Sequence, residues 1–109
     1  ALVTPIYFHQ VSAQAKMFID RFYCFFNPAK PKMSNTAKRG KKAALVCTFW
    51  GGPADVYAEY AEGTAKAFSV LGADETKALA LGGLPNRGDV KGRPEYLKAV
   101  SDLAVWLSE

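Results

Sequence analysis

Residues 4–12, Thr4-Pro5-Ile6-Tyr7-Phe8-His9-Gln10-Val11-Ser12, constrain this chain more than any other stretch. Ahead of Thr4 stand Ala1, Leu2 and Val3, apolar and uncharged, the pattern of a strand buried on both faces. Pro5 has no N–H to donate and holds Thr4 extended, so the strand is expected to stop there. The Ser12 hydroxyl can accept a backbone N–H two or three residues on, which suits the cap of a helix. Val11, Ala15, Phe18, Ile19, Phe22 and Phe26 recur at helical spacing and form its predicted apolar face, with the helix ending near Asn27 and Pro28. A strand, a tight apolar loop and a helix leave that loop at the carboxyl end of a sheet, where open α/β folds bind ligands.

The remaining chain repeats the theme. Residues 43–49 are a short continuous apolar run, as in a central parallel strand, and Trp50-Gly51-Gly52-Pro53 breaks it. A helix is predicted over residues 54–71, with Asp55 favouring its amino end and Gly72 as a left-handed stop. Its expected stripe is Val56, Tyr60, Ala67, Phe68 and Leu71, and Gly63 within it costs stability. Residues 75–81 form a third strand whose charges place it at a sheet edge. After a loop from Gly82 to Gly92, Pro94 opens a last helix that turns Leu97, Val100, Leu103, Ala104 and Leu107 to the sheet.

Right-handed crossovers between sequential strands put the first two helices on one face and leave a single helix for the other. Part of that second face and the outer edge of the first strand are therefore expected to stay open, and such an edge invites a second copy of the chain, as in a homo-oligomer. The whole of 1–109 is read as one unit, with a flexible basic loop at about 28–41.

Composition narrows the class. Half of the 109 residues are apolar, enough for a packed core, and no apolar run is long enough to cross a bilayer, so a cytoplasmic protein is expected. Cys24 and Cys47 are too few and too far apart for a disulfide framework or a metal cluster, and both read as small buried apolar residues. The net charge of +4 gathers at Lys30, Lys32, Lys38, Arg39, Lys41 and Lys42. Without interleaved aromatics it reads as a solvated loop, not as a nucleic-acid or membrane site.

The run TPIYFHQVSAQAKMFIDR resembles the third strand, loop and helix of the flavodoxin-like NAD(P)H-dependent FMN reductases and the multimeric flavodoxin-like quinone reductases. KKAALVCTFWGG resembles the next strand of that family with its glycine-containing flavin loop, and GDVKGRPEYLKAVSDLAVWL its last helix. The resemblance implies an α/β fold, a flavodoxin-like parallel sheet with flanking helices, incomplete in that only the three carboxyl-terminal βα units are represented and the phosphate-binding loop is not. The chain is accordingly expected to be the carboxyl-terminal portion of such a protein. Some relatives hold an iron–sulfur cluster on a compact group of cysteines, a group this chain does not show.

By the same resemblance, Pro5, Ile6 and Tyr7 lie along one side of an FMN ring with Phe8, His9 and Gln10 beside them, and Thr48, Phe49, Trp50, Gly51 and Gly52 border its pyrimidine edge. The implied activity is hydride transfer from NAD(P)H through FMN to a quinone, free flavin or similar acceptor. The Gly51 and Gly52 amides would donate to ring atoms that become negative on reduction, favouring two-electron chemistry, and no side-chain acid or base is assigned. Without a phosphate anchor the chain is expected to bind FMN weakly or not at all. His9 stands where many relatives carry a small residue. The residues taken alone also admit Tyr7, Phe8, Phe49 and Trp50 as core or interface aromatics, Gly51-Gly52 as a simple turn, and Asp20-Arg21 as a surface salt bridge. The competing functional reading is a non-catalytic fragment that serves as an assembly module.

Overall fold

The computed structural model describes residues 1–26, 29 and 37–109. Strand β1 (Leu2–Tyr7) turns into the two-residue β2 (Gln10–Val11), and α1 (Ala13–Asp20) follows, extended by a 3-10 turn over Arg21–Phe25. Next come β3 (Lys41–Thr48), α2 (Ala54–Ala65) with a 3-10 extension over Lys66–Leu71, β4 (Ala73–Leu81) and α3 (Pro94–Ser108). The sheet order is β2-β1-β3-β4: three parallel strands in chain order, with β2 folded back antiparallel on the outside of β1. This is the arrangement of an incomplete flavodoxin-like fold, and β4 lies at an edge as its charges predict.

Two apolar layers enclose β3. Leu45 and Cys47 point to the α1 and α2 side, where they meet Val11, Ala15, Phe22, Phe49, Tyr57, Ala61, Ala65 and Phe68. Ala44 and Val46 point the other way, to Leu81 and to Leu103 of α3. The strand therefore reads as continuously apolar because it is sandwiched.

Several expectations change on contact with the structure. Pro5 does not end β1, because it pairs with Thr48 of β3 and the strand runs on to Tyr7. The pairing of Tyr7 with Gln10 on the outer side shows why: by alternation Pro5 aims its nitrogen at that same outer edge, where no N–H is needed. β1 is also not buried on both faces, since Val3 is 67% exposed on the side that α3 leaves open. The α-helix after Ser12 ends at Asp20, short of Asn27 and Pro28, which lie outside the described residues. Asp20 pairs with Lys16 one turn back, so Arg21 is not its partner.

On α2 the buried stripe is Tyr57, Ala61 and Ala65, continued by Phe68, while Val56 is exposed. On α3 Leu103 is buried with Tyr96, Trp106 and Leu107 packed behind it, whereas Leu97, Val100 and Ala104 face outward. Gly72 is the left-handed stop of the helical run, with φ 88°, and a Cβ there would lie 2.1 Å from the Lys38 carbonyl oxygen.

The described part of the basic cluster is tied to the fold. Lys41 Nζ donates to the Lys38 and Leu71 carbonyls at 2.8 Å each, and Lys42 Nζ to the Trp106 carbonyl at 3.1 Å. Leu71 and Trp106 lie in the last turns of their helical segments, where a cation meets the carbonyl end of the dipole. Arg39 pairs with Asp74, whose carboxylate also accepts the Gly40 N–H at 2.7 Å. That N–H, and then the guanidinium, hold the Asp74 carboxyl below its ordinary range. Lys30 and Lys32, like 28 and 31–36 of the predicted flexible loop, fall outside the described residues.

The two thiols differ, and Cys24 corrects the expectation that both are buried: it is exposed, and only Cys47 is enclosed. Burial pushes the Cys47 thiol up from 9.0 to about 11. Its contribution to stability is complete below pH 9.0 and declines as the pH rises toward about 11, where only the unfolded chain ionises readily. A thiol titration of the native protein with an aromatic disulfide at mildly alkaline pH is expected to label Cys24 rapidly and Cys47 only after denaturation.

Gly63 lies mid-helix with nothing within 4 Å of where a Cβ would sit. Gly63→Ala is therefore expected to raise stability by about 0.5–1 kcal/mol, read from the denaturant midpoint.

Candidate functional site

The register Pro5↔Thr48 brings the carboxyl ends of β1 and β3 side by side, so the turns that follow them leave the sheet at one rim. The first turn is Phe8-His9. Both residues have positive φ, 48° and 67°, the geometry of a two-residue hairpin whose twist matches its strands. Glycine or asparagine usually fills such positions, so each side chain here costs strain that other contacts must offset.

Those contacts come from the strand below and from α2. Thr4, 2% exposed, accepts the Ser12 N–H on its hydroxyl oxygen at 3.2 Å, and its own proton reaches Ser12 Oγ at 3.2 Å or the Pro5 carbonyl at 3.1 Å. Ser12 Oγ in turn accepts the Ala15 N–H at 3.2 Å and caps α1 as the sequence predicts. Tyr60 Oη accepts the Val11 N–H at 3.0 Å, and Tyr57 Oη lies 3.0 Å from His9 Nδ1. Two tyrosines one turn apart thus fasten the hairpin to α2.

The second turn is linked through the same tyrosine. The Phe49 ring meets the Tyr57 ring edge-on at 4.7 Å, beneath Gly52. Gly52 has φ 119°, and a Cβ there would come within 2.8 Å of that ring. The Phe49 and Trp50 carbonyls accept from Leu84 and Gly83, which pins the turn to the loop after β4. The N–H groups of Trp50, Gly51 and Gly52 make no hydrogen bond among the described residues.

The predicted site residues therefore divide. Tyr7, Phe8 and Trp50 are exposed, Phe8 and Trp50 at 99% and 76%, and His9, Gln10, Gly51 and Gly52 are exposed with them on the same rim. Pro5 and Thr48 are half-buried at the strand ends below. Ile6 and Phe49 are core residues whose side chains belong to the α1 and α2 layer. Tyr57 and Tyr60 are absent from the sequence-based site set; the sequence puts Tyr60 only on the apolar stripe of the helix and leaves Tyr57 unmarked.

A flat heterocycle with an apolar centre and a polar rim needs apolar faces and backbone donors near each other. Exposed Tyr7, Phe8 and Trp50 supply faces, and the three free amides at 50–52 supply donors, so the residues present fit the ring of a flavin. They fit its phosphate less well, because the nearby start of α2 carries Asp55 in its first turn.

Residues 2–77, more than two thirds of the chain, match the family model for NADPH-dependent FMN reductases. The chain belongs to the NADPH-dependent FMN reductase family. Membership places it among FMN-dependent oxidoreductases that use NAD(P)H. The match spans both rim turns and all of α2. No curated protein and no solved structure matches the chain. No helix among the described residues is long and apolar enough to cross a membrane.

The glycines of the second turn are not equivalent. Gly51→Ala meets open space, whereas Gly52→Ala combines a left-handed backbone with the Tyr57 ring. Gly52→Ala is expected to lower stability by about 1–3 kcal/mol and Gly51→Ala by less than about 0.5 kcal/mol, compared by thermal melts.

Proposed function

We propose that this chain provides the ring-binding part of an FMN-dependent reductase that passes hydride from NAD(P)H to a quinone or free flavin. The observation that carries the reading is the pairing, on one rim, of exposed Tyr7, Phe8 and Trp50 with three unpartnered backbone N–H groups. FMN, when bound, supplies the redox chemistry, accepting a hydride and passing two electrons on.

The work of the chain is then positional. Trp50 and Tyr7 shield the faces of a planar ligand from water, and the amides of Gly51 and Gly52 stabilise negative charge at its edge without any side chain changing protonation. His9 is held by Tyr57 and keeps the first turn in place beside the second. The openness of the rim suits a bulky planar acceptor, which must reach the same surface after the nicotinamide leaves.

A second reading, a non-catalytic assembly module, is favoured by the uncovered apolar face on the α3 side of β1. There Val3 is exposed beside buried Val46, and Leu97 and Val100 of α3 are exposed as well. On that reading the face, and not the rim, is the functional surface.

Titration with FMN, followed by quenching of its fluorescence and by perturbation of its visible bands, separates the two. Weak saturable binding, reduced at least about tenfold in Trp50→Ala by loss of one aromatic face, is expected. An FMN spectrum unchanged by the protein at millimolar ligand would remove the ring-holding role proposed for the 50–52 turn and favour the second reading.

A further inference from the structure

His9 is the only histidine of the chain. Its backbone has φ 67°, where glycine would rest without strain, and the residue is exposed on the rim. Strained residues of this kind gather at ligand sites, where the side chain does what glycine cannot. We propose that Tyr57 holds His9 in one tautomer, so that its other ring nitrogen, Nε2, presents an N–H to a carbonyl oxygen of a planar ligand on the rim. The assignment rests on the reading of the rim as a ring-binding surface and adds a side-chain donor to the backbone ones.

The tautomer follows from the surroundings of the Tyr57 hydroxyl. Tyr57 is 6% exposed, and His9 Nδ1, at 3.0 Å, is the one hydrogen-bond partner of its Oη among the described residues. If Oη accepted from a protonated Nδ1, its own proton would be left without an acceptor at a nearly buried position, which costs more than the bond contributes. Donation from Oη to a bare Nδ1 leaves no such orphan. The neutral ring then carries its proton on Nε2. Nε2 has no hydrogen-bond partner among the described residues, so this N–H is available to a ligand.

The same hydroxyl fixes where the imidazole stands. Oη lies 2.9 Å from the position a Gly52 Cβ would take, so the His9 ring is set beside the second turn and its free amides at 50–52. The His9 and Tyr57 ring planes are tilted by 42°, with centroids 5.6 Å apart, so the imidazole does not lie flat on Tyr57. Tyr57 occupies its Nδ1 edge, and the edge that remains carries Nε2.

A carbonyl oxygen has two lone pairs and can accept two N–H groups. An amide of the second turn and Nε2–H of the first can therefore meet on one oxygen, or on two carbonyls of one ring. The ligand class is a planar ring with carbonyl groups at its edge, which describes the pyrimidine edge of a flavin and a quinone acceptor alike. His9 acts here as a donor, and no proton is transferred.

Long-range proton–nitrogen correlation NMR of the full chain reads both ring nitrogens of the single histidine, at pH about 8.5, where an ordinary imidazole is uncharged. The free protein is expected to show a bare Nδ1 and a protonated Nε2. Tyr57→Phe, which keeps the ring packing and removes the hydroxyl, is expected to mix the two tautomers. Titration with FMN and, separately, with an anthraquinone sulfonate should shift Nε2 and leave Nδ1 in place. His9→Gly, whose backbone suits the turn, should bind the probe that shifts Nε2 about three- to tenfold more weakly, with circular dichroism and a thermal melt confirming that it folds. A loss confined to FMN assigns the donor to the flavin, and one confined to the quinone assigns it to the acceptor; either supports the proposal. A free protein with its proton on Nδ1, a Tyr57→Phe variant with an unchanged tautomer, a bound probe that leaves Nε2 unmoved, or a His9→Gly variant that binds like the wild type would overturn the proposal and leave the ring-binding reading standing. A wild type that binds neither probe would overturn both.

Discussion

One buried hydroxyl holds together the end of the sheet that carries both turns. Thr4 sits inside the sheet, accepts the N–H of Ser12 eight residues later, and thereby fixes the distance between the end of a strand and the start of a helix. Removing that acceptor would strand a buried donor, which costs more than the bond itself contributes. With the two ends tied, the five residues after Ile6 must turn back within a narrow space, which accounts for positive φ at Phe8 and His9. The strain is held by α2, whose Tyr57 and Tyr60 reach the turn and the strand beyond it. Strand, cap and helix all close on the base of the rim.

Much of this could be read from the chain. A short uncharged run before Thr4-Pro5, a serine at the right distance and a second apolar run ending in glycines specify parallel strands with adjacent turns, and the structure has them. The edge position of β4, the Gly72 stop and the Pro94 start follow from the chemistry of single residues. The flavin-family resemblance lay in the same stretches that build the rim.

What was not legible concerns phase and partnership. On α2, Val56 and Tyr57 are both apolar, and periodicity alone gives no ground to choose between them. Tyr57 wins because its ring fills the space under Gly52 against Phe49, and its hydroxyl still reaches His9. On α3 the helix turns Tyr96, Leu103 and Trp106 inward, since Tyr96 Oη can donate to the Gly82 carbonyl at 3.0 Å and Trp106 can receive Lys42 and Lys77 over its ring. These are tertiary contacts between residues far apart in sequence, invisible to a helical wheel. Pro5 misled for a related reason: a proline stops a central strand but is tolerated where its nitrogen faces outward.

The sequential order of β1, β3 and β4 bears on how the chain matures. Each parallel strand lies against the one made immediately before or after it, so no late segment must be threaded between two strands already paired. During synthesis β1 and its hairpin emerge before β3 exists to pair with them. The sheet then grows outward in the direction of translation, and β4, with α3 behind it, is the last piece to lock.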